Sequence, residues 1–240
     1  MKPRILISGD TSITVEFGNE ISSEINNTIR AFNYALKKSK VPGIVETVPT
    51  FRSLMIHYDP AVISFDDLVK ELAQIGQHMN ALSQKTSHVI EIPVCYGGVY
   101  GQDLPFVAAH TGLSEQEVIK LHTQPEYLIY MLGFLPGFSY LGGLDPRLIT
   151  PRLENPRTLI EAGSVGIGGA QTGIYPLDSP GGWQLIGKTP VKVYDPSREN
   201  PILYRAGDLI KFIPITEEEF RSIEKQVADQ TYQCHTYERS

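Results

Sequence analysis

The sequence predicts an α+β N-terminal domain of the ferredoxin-like kind, followed by a mainly β domain that forms an antiparallel barrel or sandwich. Short apolar strands alternate with two amphipathic helices over about the first 90 residues. Residues 126–213 instead alternate short strands with glycine- and proline-rich turns. The polar stretch at residues 83–87 interrupts the hydrophobic periodicity and marks the boundary. The predicted organisation is residues 1–85, residues 86–228 including a C-terminal helix, and a polar tail at residues 229–240.

Hydrophobic periodicity predicts the elements of the N-terminal domain. Apolar residues recur every three or four positions between Glu20 and Lys38, which is typical of an amphipathic helix. Ser64, with Asp67 three residues later, indicates the start of a second helix that buries one apolar face. Strands are predicted at Ile5–Ile7, Ile13–Phe17, Val45–Val48, Ser53–Tyr58 and Val89–Val94.

The second domain is predicted to contain three helices around its strands. Two short helices are expected at Asp103–His110 and Ser114–His122, and the second begins with a capping box that includes Glu117. Asp103 is interpreted as a cap of the first helix. His110 and His122 end the two helices, where a cationic ring is favoured by the negative end of the helix dipole. A last helix begins at Thr216 and is capped by Glu219. The polar tail that follows this helix is predicted to be disordered.

The composition disfavours several classes of partner. The 240 residues carry a formal net charge of −6, which argues against a nucleic-acid or anionic-membrane partner. No charged segment followed by an apolar run opens the chain, so no secretory signal is expected. Cys95 and Cys234 lie far apart and the histidines form no metal-binding pairs, which predicts no disulfide, no metal and a cytoplasmic location. Glycines and prolines interrupt the uncharged stretch Tyr127–Leu144, so it is not expected to span a membrane.

Gly182–Thr189 matches the spelling of a phosphate-binding loop, GxxxxGK followed by threonine, but its context predicts a different structure. A phosphate loop needs small residues whose amides point inward and a helix that follows. Residues 183–186 alternate like a strand, and Pro190 leads into the apolar run Val191–Tyr194, which indicates another strand. We therefore expect that this chain alone does not bind ATP.

Two arginines on proline-fixed loops form a candidate anion-binding edge. Arg152 and Arg157 each follow a proline, and planar guanidinium groups suit bidentate recognition of a carboxylate or phosphate. The alternative is that both are structural and satisfy loop carbonyls, or pair with Glu154 and Glu161.

The glycine-rich region nearby offers amide, phenol and indole groups. Mixed aromatic and amide linings suit recognition of a small amide such as a lactam, or of an extended peptide. The alternative is that Trp183 belongs to the core. Phe134, Phe138 and Tyr140 either fill the barrel near one opening or form a partner-binding patch. The candidate ligand-facing residues are Gln171, Tyr175, Trp183 and Gln184.

Four motifs in one order resemble a known family. They are Gly133–Leu144, the Pro-Arg pairs at Pro151-Arg152 and Pro156-Arg157, Gly163–Ile167, and Pro180–Gly187. The chain resembles the allophanate hydrolase subunit 1 family, which is also the family of the 5-oxoprolinase B subunit, from about Ile5 to about Ile215. This resemblance implies that the β domain is a cyclophilin-like barrel.

The resemblance also implies a non-autonomous subunit of an ATP-dependent 5-oxoprolinase, which opens the lactam 5-oxoproline to glutamate. Because the chain shows no credible ATP loop and no obvious general base, we expect it to supply half of a composite site. The partners would be the 5-oxoprolinase C subunit, of the KipA or allophanate hydrolase subunit 2 type, together with the A subunit. In this hypothesis Arg152 and Arg157 hold a carboxylate or phosphate. The amide is oriented by Gln171, Tyr175 and Gln184.

A second hypothesis belongs to a different class. The family includes an inhibitor of a sporulation sensor histidine kinase, which implies a chain that blocks kinase autophosphorylation by binding alone. This role either accompanies the enzymatic one or replaces it. The candidate partner-binding residues are Phe134, Phe138, Tyr140 and Trp183.

Overall fold

The computed structural model describes residues 3–78 and 87–239, and residues 83–86 of the predicted boundary lie outside the described residues. The chain divides into two compact units, Met1–Lys85 and Thr86–Ser240. Among the described residues, none of the helices is long and apolar enough to cross a bilayer.

The first unit is a four-stranded antiparallel sheet with two helices. Its strands are β1 (Arg4–Ile7), β2 (Ser12–Glu16), β3 (Ile44–Pro49) and β4 (Ser53–Tyr58), and its helices are α1 (Ser23–Ser39) and α2 (Phe65–His78). The strand order is β1-β2-β4-β3. One face of the sheet and the apolar faces of both helices form a single core, which includes Ile13, Val15, Ile29, Phe32, Leu54, Ile56, Leu68 and Leu72.

The predicted α+β character of this unit agrees with the structure, but the ferredoxin-like connectivity is not confirmed. That connectivity requires the strand after the second helix to return to the same sheet. Here the strand after α2, Ser87–Tyr96, pairs within the second unit, and β1 occupies the sheet edge beside β2. Strand β1, which forms a hairpin with β2, therefore occupies the edge position that a returning strand would take.

Local capping explains where the predicted helices begin. The hydroxyl of Ser22 accepts a hydrogen bond from the Ile25 N–H, so α1 begins at Ser23 and not at the predicted Glu20. The Ser64 hydroxyl accepts from the Asp67 N–H at 3.2 Å, as its spacing predicted. Capping boxes were also predicted for two later helices, and both are present. Their N-cap residues are Ser114 and Thr216.

The second unit is a closed barrel. Of the two β architectures that the sequence allowed, a barrel or a sandwich, the structure therefore has the barrel. Its strands are β5 (Ser87–Tyr96), β6 (Glu126–Leu132), β7 (Ser139–Gly142), β8 (Arg157–Ile160), β9 (Ser164–Gly168), β10 (Gln171–Ile174), β11 (Ser179–Gly181), β12 (Gln184–Lys188), β13 (Leu209–Ile215) and β14 (Thr236–Arg239). Its helices are α3 (Leu104–Thr111), α4 (Glu115–Thr123) and α5 (Glu217–Ala228). Among the described residues, seven strands in the order β12-β9-β10-β7-β6-β13-β5 form the barrel, and β12 pairs with β5 to close it. Strands β8 and β11 form a separate two-stranded ribbon.

The C-terminal tail is ordered, contrary to the prediction of disorder. Strand β14 pairs antiparallel with the first half of β5, from Thr236 opposite Ile90 to Arg239 opposite Ser87. The Tyr237 hydroxyl donates to the Glu126 carboxylate at 2.9 Å, which ties the tail to β6 as well. The sequence did not predict this strand, because its residues are polar and show no apolar pattern. Backbone pairing and side-chain hydrogen bonds hold it in place instead of apolar burial.

We expect both thiols to react slowly in the folded protein. Cys95 and Cys234 are unbonded, and burial raises the pKa of each, that of Cys234 to about 12. Since the thiolate is the reactive form, a disulfide reagent at about pH 8 should label the native chain far more slowly than the urea-unfolded chain, in which both thiols react. Rapid labelling of two thiols in the native protein would contradict the packing of Cys234 against the barrel core.

Candidate functional site

Aromatic rings gather on the second unit in one group, here called the aromatic cluster: Phe134, Phe138, Tyr140, Tyr175 and Trp183. Phe138 is its centre. The ring centroid of Phe138 lies 5.5 Å from that of Phe134, 5.2 Å from that of Tyr140, 5.6 Å from that of Tyr175 and 5.5 Å from that of Trp183. All four contacts are edge-to-face, the favourable geometry for aromatic pairs.

The aromatic cluster lies on the outer wall of the barrel. Side chains alternate along a strand, so the inward positions Val165 and Ile167 leave Gly166 and Gly168 facing outward. A β-carbon at Gly168 would lie 2.3 Å from the Trp183 indole, and one at Gly173 would lie 3.2 Å from it. Glycines therefore make the flat surface on which the indole rests.

The predicted partner-binding residues separate into buried and exposed ones. Phe138 is 3% and Trp183 is 5% exposed, so both serve as core, which was the alternative for Trp183. Tyr140 is half-buried. Phe134 is 65% exposed, and its φ of 69° is a left-handed conformation that bulky residues rarely adopt.

The loop that carries Arg152 and the strand that begins at Arg157 are both bonded to the segment around Trp183. The Leu153 N–H donates to the Gly182 carbonyl at 2.7 Å, and Arg157 pairs with Gly181 in the β8–β11 ribbon. Burial raises the pKa of the Tyr175 hydroxyl, and the charges of both arginines oppose that rise. Both guanidinium groups lie at Trp183, that of Arg157 at its carbonyl and that of Arg152 over its ring.

The two arginines nevertheless differ in their surroundings. Arg157 donates from Nη2 to Asp103 Oδ1 at 2.7 Å and from Nη1 to the Trp183 carbonyl at 3.3 Å, so its charge is already paired. Arg152 is exposed, and its Cζ lies 5.9 Å from the centroid of the Trp183 ring, within cation–π range. Neither pairs with Glu154 or Glu161 among the ion pairs of the described residues.

The two glutamines also have separate roles. Gln184 is 2% exposed and its Nε2 donates to the Pro151 carbonyl at 3.0 Å, so this amide holds the Arg152 loop. Gln171 is half-buried and stands opposite Gly168 in the β9–β10 pair. Because opposed residues in an antiparallel pair share a face, Gln171 lies on the same outer wall as Trp183.

Sequence reasoning missed Asp103, which it assigned to a helix cap. The Asp103 side chain makes no capping bond to α3. Its Oδ1 accepts from Arg157 and its Oδ2 accepts from the Leu185 N–H at 2.6 Å. No local signal distinguishes the two roles, because these partners are separated from Asp103 by 54 and 82 residues.

His122 is a second residue whose role the sequence did not reveal. The Thr172 hydroxyl donates to the Gly166 carbonyl, so it accepts from His122 Nε2–H at 2.7 Å, and His122 Nδ1 accepts from the Tyr96 hydroxyl at 2.8 Å. Burial lowers the pKa of His122 from 6.5 to about 3. The ring is neutral, and the expected cationic histidine at a helix end is wrong for His122.

Side chains that could ligate a metal are dispersed among the described residues. Within residues 3–78 and 87–239, no three of His, Cys, Asp and Glu are grouped as metal ligands. The segment with phosphate-loop spelling contains β12, which pairs antiparallel with β9, as its alternating pattern predicted. The backbone of this strand is hydrogen-bonded within the sheet, so its N–H groups do not form a phosphate-binding loop.

Comparison with known proteins identifies the family. Residues 3–204 match the family described as carboxyltransferase domain, subdomain C and D. The chain belongs to this family. Among carboxyltransferase C/D relatives, the B subunit of 5-oxoprolinase from Bacillus subtilis is 42% identical over 91% of this chain and 95% of its own length. The B subunit of 5-oxoprolinase from Escherichia coli O157:H7 is 43% identical over 90% of this chain and 98% of its own length. The resemblance inferred from the four motifs is thereby confirmed.

Some carboxyltransferase C/D relatives are much longer proteins. Urea amidolyase of Saccharomyces cerevisiae is 27% identical over 98% of this chain, which spans only 14% of that protein. The crystal structure of the protein TTHA0988 matches 85% of this chain with a TM-score of 0.76 and a sequence identity of 41%. This chain spans 40% of the TTHA0988 chain. The same domain thus occurs both in relatives of about this length and within larger chains.

Proposed function

We propose that this chain is the B subunit of an ATP-dependent 5-oxoprolinase that converts 5-oxoproline to L-glutamate. The observation that supports this most directly is the match to two bacterial proteins of that name along nearly the full length of both chains. The cyclophilin-like character of the barrel and the use of ATP by the complex follow from the family resemblance and belong to the same proposal.

The geometry supports a binding role for this chain. A lactam resists hydrolysis, so its carbonyl must be activated before water attacks. Arg152 offers an exposed cation over the Trp183 ring, and the half-buried amide of Gln171 lies on the same wall of the barrel. These groups suit the carboxylate and the amide of 5-oxoproline. The β12 segment does not fit ATP phosphates, so activation of the lactam carbonyl is assigned to the A and C subunits.

Reconstitution tests this division of labour. The purified chain alone should release no glutamate from 5-oxoproline, whereas the chain mixed with the A and C subunits should do so only when ATP is present. Substantial lactam hydrolysis by the isolated chain would refute the shared site. An inactive mixture of all three folded subunits would refute the proposed reaction.

A second candidate function is inhibition of a sporulation histidine kinase, and Phe134 is the observation that favours a partner contact. A bulky side chain that is exposed and held at positive φ stores backbone strain, a feature that clusters at binding sites. We propose Phe134 as the anchor of that contact, with Tyr140 beside it.

Replacing Phe134 by glycine tests this role, because glycine relieves the strained φ while removing the ring. We expect kinase autophosphorylation to recover in the presence of Phe134→Gly, with a loss of affinity of about ten-fold or more if the ring is a hot spot. Leu159→Ala, which removes another exposed apolar side chain, is the matched control. Full inhibition by Phe134→Gly would exclude the ring as the anchor.

A further inference from the structure

Asp103 occupies the N-cap position of α3 without capping the helix. An aspartate at that position ordinarily accepts a hydrogen bond from the second or third N–H of the helix. Here φ and ψ are −99° and 2°, and both carboxylate oxygens point to other partners, Arg157 and the Leu185 N–H. The Asp103 N–H in turn donates to the Leu185 carbonyl at 2.9 Å. The side chain therefore joins three segments that are distant in sequence.

These contacts fix the backbone on both sides of Gln184. Asp103 holds Leu185 through two hydrogen bonds, and Arg157 holds the carbonyl of Trp183. The Asp103 and Arg157 side chains are 13% and 24% exposed, so water weakens their pairing only partly. The start of β12, next to the indole, is thereby locked against the barrel.

The locked indole supports Arg152. Gly166, Gly168 and Gly173 lie against the Trp183 side chain from the barrel wall, and the Arg152 guanidinium lies 5.9 Å from the ring centroid. Asp103 neutralises Arg157, whereas Arg152 forms no ion pair with the residues that the structure describes. The charge of Arg157 is therefore paired within the fold, whereas that of Arg152 stays exposed.

We propose that Asp103 is a positioning residue that, through Arg157, holds the Trp183 platform beneath Arg152, and that Arg152 alone binds the carboxylate of the substrate. This assignment rests on the proposed function for the identity of the ligand, 5-oxoproline. It replaces the symmetric pair of anion-binding arginines with one binding arginine and one structural arginine.

Steady-state kinetics of the reconstituted three-subunit complex test the assignment. Losing a charge-assisted contact to a carboxylate should raise KM for 5-oxoproline about ten-fold or more in Arg152→Gln, with kcat changed less than about two-fold. Asp103→Asn should also raise KM. Arg221→Gln, an exposed arginine of α5, is the matched control and should leave KM unchanged.

The double variant separates positioning from a general structural role. If Asp103 acts through the support of Arg152, the KM of Asp103→Asn/Arg152→Gln should equal that of Arg152→Gln alone. If Asp103 merely stabilises the fold, the two effects should multiply, and the proposal is overturned. An unchanged KM in Arg152→Gln within an active complex overturns it as well, while leaving the proposed function standing.

Fluorescence gives an answer that does not depend on activity. Trp183 is the single tryptophan of the chain, so its emission reports on this platform. Titration of the isolated chain with 5-oxoproline should change the emission, and Arg152→Gln should abolish that change. 2-Pyrrolidinone, the lactam without the carboxylate, should give no response that depends on Arg152. Equal responses of wild type and Arg152→Gln to 5-oxoproline would refute the site, even if the three-subunit complex proves inactive.

Discussion

The unfolding free energy should fall by about 2 kcal/mol between about pH 7.5 and about pH 5 through His122 alone. Burial lowers the pKa of His122 from 6.5 to about 3, so the unfolded chain takes up a proton that the folded chain refuses. Stability from this group is complete above pH 6.5 and decreases as the pH falls toward about 3. A hydrogen bond also opposes protonation of His122 in the folded chain. The Tyr96 hydroxyl donates to Nδ1, the atom that would have to take up the proton.

Urea unfolding of His122→Gln at the two pH values measures this contribution. The variant should be less stable at about pH 7.5, because hydrogen bonds to Tyr96 and Thr172 are lost, yet its pH dependence should be about 2 kcal/mol smaller than that of wild type. His110→Gln, which replaces an exposed histidine of α3, should keep the wild-type dependence. Parallel pH profiles for wild type and His122→Gln would contradict a neutral buried ring.

Gly168→Ala should destabilise the second unit by about 1–3 kcal/mol and displace Trp183. The added methyl carbon would lie 2.3 Å from two atoms of the indole, Cδ1 and Nε1, and no real contact is that short. The backbone of Gly168 is not left-handed, so the effect is steric and not conformational. The ring must therefore leave the glycine surface, which shifts its emission to longer wavelength and increases quenching by acrylamide.

Gly182→Ala is the matched control for this substitution. It lies beside Trp183 in the chain, but its added carbon would meet its nearest neighbour, the Leu153 carbonyl oxygen, at an ordinary 3.6 Å. We expect a change in unfolding free energy within about 0.5 kcal/mol and an unshifted emission maximum. If Gly168→Ala behaves like this control, Trp183 does not rest on the barrel wall as described.

Elements governed by local contacts could be predicted from the sequence. The capping boxes at Ser114 and Thr216 depend on residues three positions apart, and both form as expected. The strand through Gln184–Lys188 could be separated from a phosphate loop because alternation and Pro190 are local signals.

Features that depend on distant partners could not be predicted. The sequence assigned Asp103 to a helix cap because nothing nearby points to Arg157 or Leu185. His122 looked like a helix-end cation because its burial depends on Thr172 and Phe212, which come from strands much later in the chain. The placement of the aromatic cluster on the outer wall required the inward register of Val165 and Ile167, which only the closed barrel defines.

The pairing of β5 bears on how the chain is made. Every strand that pairs with β5, namely β12, β13 and β14, begins at residue 184 or later, whereas β1 to β4 pair with near neighbours. The first unit can therefore mature while the ribosome is still translating the second, but the barrel must wait for nearly the whole polypeptide. A nascent chain that stops before residue 209 lacks β13 and β14 and leaves most of the apolar strand β5 unpaired, which is a template for aggregation and a natural target for chaperones.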